Sequence, residues 1–131
     1  MSRIPINALL APCGIYQPDA VEARGYAPSH NARFVVVRTS KDAPWRLIHA
    51  KSGAGIDSIL PATMTRITLA EKLAVASAWQ AATHLDWSAF DALPQVTYDT
   101  KELPALHNPS RATLDEMRTL AANAIVAARA Y

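Results

Sequence analysis

Arg33-Phe34-Val35-Val36-Val37-Arg38-Thr39, followed by Ser40-Lys41-Asp42-Ala43-Pro44 and then Trp45-Arg46-Leu47-Ile48-His49-Ala50, is the stretch on which the fold turns. Its first limb is a β-branched run with no polar face at helical spacing. It therefore reads as a strand buried at least partly on both sides. The middle is turn chemistry, the second limb resumes as a strand, and the short connection suits an antiparallel hairpin. Lys51-Ser52-Gly53-Ala54-Gly55 reads as the next turn, because paired glycines supply the backbone angles of a tight reversal. Ile56-Asp57-Ser58-Ile59-Leu60 is predicted to form a third strand, stopped by Pro61.

Downstream of the hairpin the period changes. Thr68 and Glu71 have the spacing of a capping box, and residues 69–84 contain neither Gly nor Pro. Alanines at 70, 74, 76, 78, 81 and 82 favour the helix and let it approach a neighbour closely. Ser88 to Leu93 predicts one short extra turn before Pro94, and Val96-Thr97-Tyr98 another short strand. Thr113 and Glu116 repeat the capping pattern. Leu114, Met117, Leu120, Ala121, Ala124, Ile125 and Ala128 then share one face of a second long helix, which Asn108-Pro109 could open a turn earlier. Upstream, prolines cluster near residues 5–28 and again near 94–109, so both regions are predicted to be turn-rich arms.

Strands followed by helices give an α+β class. The expected architecture is a small, mainly antiparallel sheet around residues 33–60 packed against two long helices near 69–84 and 114–129, in one domain over residues 1–131. Leu73, Trp79, Leu120 and Ile125 are the expected core, with both helices on one side of the sheet. Half of the 131 residues are hydrophobic and the net charge is only +2, which excludes the composition of a disordered chain. A chain of this length can bury roughly two-thirds of its unfolded surface and needs no metal or disulfide staple. No apolar run approaches the length of a membrane helix, and the N-terminus lacks the layout of a signal peptide. With Cys13 the single cysteine, a cytoplasmic location is predicted.

Charge is segregated along the chain. Residues 33–51 carry five bases and one acid, whereas residues 84–102 carry four acids and one base. Such patches can steer a charged partner. Trp45 and Arg46, flanked by Arg38 and Lys41, combine an aromatic platform with cations, a mixture suited to protein hot spots and to nucleic-acid stacking. Arg38, Lys41, Trp45 and Arg46 are accordingly the candidate binding residues. The plainer expectation for Trp45 is a core side chain with solvated cations around it.

Catalytic signatures are missing from the sequence. No cation or helix start near Cys13 would activate its thiol, so it reads as a small buried hydrophobe. His30, His49, His84 and His107 show no i, i+4 pairing of metal ligands. His84 with Asp86 predicts a polar pair at a helix end. Residues 51–55 hold glycine, lysine and serine, but in the wrong order for a phosphate loop. No catalytic residue, metal or cofactor is therefore expected.

Trp45-x-Leu47-x-His49-x-x-Ser52-Gly53, followed by an alanine-rich helix ending in Leu85-Asp86-Trp87-Ser88, resembles a pattern in uncharacterised small phage- and plasmid-encoded proteins with a hairpin-then-helix unit. The resemblance covers about a third of the chain and brings no catalytic residues. It implies a mobile-element accessory protein, for which binding and inhibiting a host protein is a common role. The leading expectation is thus a non-enzymatic protein-binding accessory or inhibitor. The alternative is a nucleic-acid-binding accessory protein using the basic hairpin. A small enzyme built on Cys13 and histidines comes third, and no membrane partner is expected.

Overall fold

The computed structural model describes residues 3–102 and 109–130. Four strands, β1 (Ile4–Leu10), β2 (Val21–Ala27), β3 (Phe34–Arg38) and β4 (Arg46–His49), pair antiparallel in the order β1-β2-β3-β4. Helices α1 (Leu69–Ala81), the one-turn α2 (Ser88–Asp91) and α3 (Arg111–Arg129) follow. The α+β class and the packing of an antiparallel sheet against two long helices are as the sequence predicts.

The central hairpin forms where its β-branched run lies, and residues 34–37 are all buried. Phe34, Val36 and Leu47 point to the helices and share a core with Leu73, Trp79, Met117, Ala121 and Ile125. Phe34 is its hub: the rings of Trp79, Trp87 and Phe90 lie 5.1, 5.4 and 5.3 Å away, all in edge-on arrangements. Burying a side chain of this size stabilises the fold by about 1.5–3 kcal/mol. The buried indole nitrogens keep partners, Trp79 donating to Met117 O and Trp87 to Ala82 O, both at 2.9 Å.

The opposite sheet face buries Leu10, Ala23, Ala27, Val35, Val37 and Ile48, with Ile4, Ile6, Ala8 and Val21 packed against them. No helical residue contributes to this cluster, so the sheet covers the face by curling on itself. The curl brings the end of β1 to the turn after β4, where Ala11 N donates to Gly53 O at 3.1 Å. Two glycines permit it. A Cβ on Gly25 would sit 1.9 Å from Val36 O, and one on Gly53, whose φ is +70°, would sit 2.4 Å from Leu9 O.

α1 starts on its capping box: Thr68 Oγ1 accepts from Glu71 N, and Thr68 N donates to Glu71 Oε1 at 2.9 Å. Glu71 is buried and also accepts from Arg129 Nε at 2.8 Å, which ties the start of α1 to the end of α3. That guanidinium bond holds the Glu71 carboxyl below its ordinary range, against the opposing effect of burial.

Several sequence expectations are corrected. Residues 56–60 make a 3₁₀ turn (Asp57–Ile59), and pairing with β4 ends at a lone Ile48–Gly55 bridge, because the Asp57 carboxylate takes the Leu47 N–H that a continuing strand would pair. The proline-rich region 5–28 holds the long β1–β2 hairpin, and Pro5 is tolerated because β1 is an edge strand. Val96-Thr97-Tyr98 is not a strand; Val96 N donates to Lys51 O, and Thr97 and Thr100 close a local turn. α1 stops at Ala81 and not at residue 84. α3 starts at Arg111, capped by Ser110 and not by Thr113; Thr113 supplies the N–H that Ser110 accepts. The opening at Asn108-Pro109 lies partly outside the described residues, as does His107. Leu73, Trp79 and Ile125 are buried as expected, whereas Leu120 is half-buried, at the margin of the face that Met117 and Ala121 bury.

Candidate basic and aromatic sheet face

Alternation along paired strands decides which side chains meet. Arg24 stands directly opposite Arg38, and Asn7 directly opposite Arg24. Trp45, immediately before β4, continues this row across the sheet beside Arg38. In the neighbouring row Pro5 faces Tyr26. At strand spacings of about 4.8 Å the first row is roughly 14 Å long. It lies on the helix-bearing side of the sheet, beyond the edge of the helices, where Tyr26 and Trp45 lean on the core without being sealed into it.

Two guanidinium groups lie over these two rings. Arg38 Cζ is 4.2 Å from the centre of the Trp45 ring, and Arg3 Cζ is 5.0 Å from that of Tyr26. The rings are 6.1 Å apart, tilted by 44°. Arg38 is oriented from below as well, because its Nη1 donates to Lys41 O at 2.9 Å. Lys41 and Arg24 are exposed, and together with Thr39 and Ser40 they border an open cleft of about 770 Å³. Among the described residues no carboxylate pairs with Arg3, Arg24, Arg38 or Lys41. The nearest acid along β2, Glu22, accepts instead from Tyr98 OH, a contact that raises the phenol's pKa and bounds the basic face at that end.

Three of the four sequence candidates, Arg38, Lys41 and Trp45, come together here. Arg46 does not. Paired with Val37, it belongs to the opposite sheet face, where its guanidinium lies against Gly55 and 4.0 Å from Cys13 Sγ. Sequence reasoning missed Arg3, Arg24 and Tyr26. The signal for the last two was legible as strict alternation of Glu22, Arg24 and Tyr26 with Val21, Ala23, Gly25 and Ala27. Trp45 is half-buried, between the core and the surface alternatives.

The remaining candidates are dispersed. Cys13 is exposed, contrary to the buried side chain expected, because it sits in a turn projecting from the β1–β2 hairpin. His49 is buried; its Nδ1 lies 2.8 Å from Ser52 Oγ and its ring packs on Phe34 and Phe90. Desolvation lowers its pKa to about 4, partly opposed by Asp91 and assisted by Arg33 and Lys51. His84 faces Glu116 of α3 at 3.8 Å, while Asp86 accepts from Ser88 N, so the predicted His84–Asp86 pair does not form. No three His, Cys, Asp or Glu side chains among the described residues converge to hold a metal. One acid of the acidic stretch is engaged within the fold, because Arg33 grips Asp91 through two bonds of 3.0 and 3.2 Å, whereas Lys101, the base of that stretch, pairs with Asp19 outside it at 2.7 Å. No helix among the described residues is long and apolar enough to cross a membrane.

Compared with protein-family models, curated proteins and solved structures, the chain matches none.

Proposed function

We propose that the chain is a non-enzymatic accessory protein that binds nucleic acid through the face formed by Arg3, Arg24, Tyr26, Arg38, Lys41 and Trp45. The observation that carries this reading is the direct opposition of Arg24 and Arg38 without a carboxylate partner. Like charges facing each other across a strand pair destabilise a sheet. An anionic ligand would relieve that cost, and the adjacent aromatic rings beside the cations suit a polymer that alternates phosphates with bases.

The test is a mobility-shift titration with a random-sequence pool containing single- and double-stranded DNA. If about three phosphates are contacted, affinity should fall roughly twentyfold for single strands and roughly fortyfold for duplex between 50 and 200 mM salt. Reversing Arg24, Arg38 and Lys41 to Glu together should abolish the shift while circular dichroism stays native. An unshifted pool at 50 mM salt would refute the proposal.

A second reading, a protein-binding accessory or inhibitor, is favoured by a different surface. Ile15 and Tyr16 are 86% and 96% exposed at the tip of the β1–β2 turn. The Gln17 side chain braces that turn, its Nε2 donating to Ala11 O and Asp19 O. Exposed aromatic anchors of this kind serve as interface hot spots. A stable complex recovered with the wild type, and lost when Ile15 and Tyr16 are changed to Ser, would favour it.

A further inference from the structure

We infer that the basic face takes nucleic acid as a single strand laid across the sheet, with one unstacked base seated on the Arg38–Trp45 pair; this rests on the nucleic-acid reading above. The face contains the same small unit twice, a guanidinium over a ring, as Arg38 on Trp45 and Arg3 on Tyr26, with the two rings 6.1 Å apart. Two adjacent copies of one unit match a ligand that repeats, whereas an acidic protein surface has no such period. In each copy the guanidinium covers the ring, so an incoming base meets the guanidinium plane, and the ring backs it. Arginine planes stack unpaired bases as aromatic rings do. Bases inside a duplex are already stacked on one another and cannot use such a platform.

The phosphates are served separately. Arg24 lies one strand beyond Arg38 in the same row, and Lys41 stands at the adjoining turn. The shape of the surface argues against a duplex as well. The β3–β4 hairpin is held against the helices through Val36 and Leu47, so the part of the basic face that it carries does not project as a ribbon into a major groove. Asn7, at the β1 end of the row, offers amide donors and an acceptor to a base edge.

Fluorescence anisotropy with a labelled 15-nucleotide oligo(dT) and a 15-base-pair duplex of mixed sequence, with unlabelled heparin as competitor, tests the inference. The single strand should bind at least about tenfold more tightly than the duplex, since base stacking alone is worth that much. Arg38→Lys keeps the charge and removes the plane, so it should weaken oligo(dT) severalfold and leave the duplex unchanged. Trp45→Phe, which keeps most of the packing, should do the same, and thermal melts confirm that both variants fold. Equal binding of both DNAs, with loss in the Arg24→Glu/Arg38→Glu double variant, would overturn the single-strand inference and leave the nucleic-acid reading standing. Equal affinity for wild type and Arg38→Lys would also overturn it. Displacement by heparin at matched charge concentration with no strand preference would reduce the face to a general polyanion surface, and binding of neither DNA would remove both proposals.

Discussion

Acidification should expose His49 as a stability switch within the fold. The folded protein keeps this ring neutral down to about pH 4, whereas the unfolded chain protonates it at its ordinary value of 6.5. Below pH 6.5 the unfolded state therefore binds more protons, so stability falls as pH falls, and the loss is complete near pH 4. At about 1.36 kcal/mol per pH unit, the gap amounts to about 3 kcal/mol. The groups facing the ring are Ser52, Asp91, Arg33 and Lys51; Asp91 favours the charged ring, and desolvation outweighs it. Urea unfolding at pH 7, 6, 5 and 4.5 measures the effect, with His49→Gln as a control that cannot titrate. The variant is expected to be less stable at pH 7, because it loses packing against Phe34 and Phe90, but to lose about 2 kcal/mol less than the wild type on acidification. Parallel stability profiles for the two proteins would refute a neutral buried His49.

Five other substitutions probe separate parts of the structure. Glu71→Ala removes half of the capping box and the partner of Arg129, and should cost about 2 kcal/mol at pH 7 by chemical denaturation. The Glu71 contribution, held by a lowered pKa, is present above its ordinary value of 4.5 and disappears below it, where most of the His49 loss has already occurred. Ile125→Ala should cost about 2–5 kcal/mol and Leu120→Ala clearly less, a ranking that equilibrium unfolding checks directly. Gly25→Ala must push its Cβ away from Val36 O, and thermal melting should show a loss above about 3 kcal/mol or failure to fold. Tyr16→Ser, at a fully exposed tip, should change stability by less than about 0.5 kcal/mol, measured the same way.

What the sequence determined by itself was local. The β-branched run at Val35–Val37, the paired glycines after His49 and the Thr68–Glu71 box each act through neighbours a few residues away, so hairpin, turn and helix start could all be read from spacing. The β1–β2 hairpin was also written in alternation, but Pro5 resembles loop punctuation, as Pro12 and Pro18 in the connection truly are, unless the strand is known to lie at an edge, and only pairing defines an edge. Residues 56–60 have strand-forming side chains, yet a carboxylate across the turn captures the Leu47 N–H and ends the sheet there. The same division runs through the candidate site. Arg38, Lys41 and Trp45 were legible because they share one hairpin. Arg24 joins them only through the β2–β3 register, Arg3 and Tyr26 through the cross-sheet packing, and Arg46 leaves because a one-residue step along a strand reverses the face. Composition supplied the charges, and the register of the folded sheet decided which of them stand together.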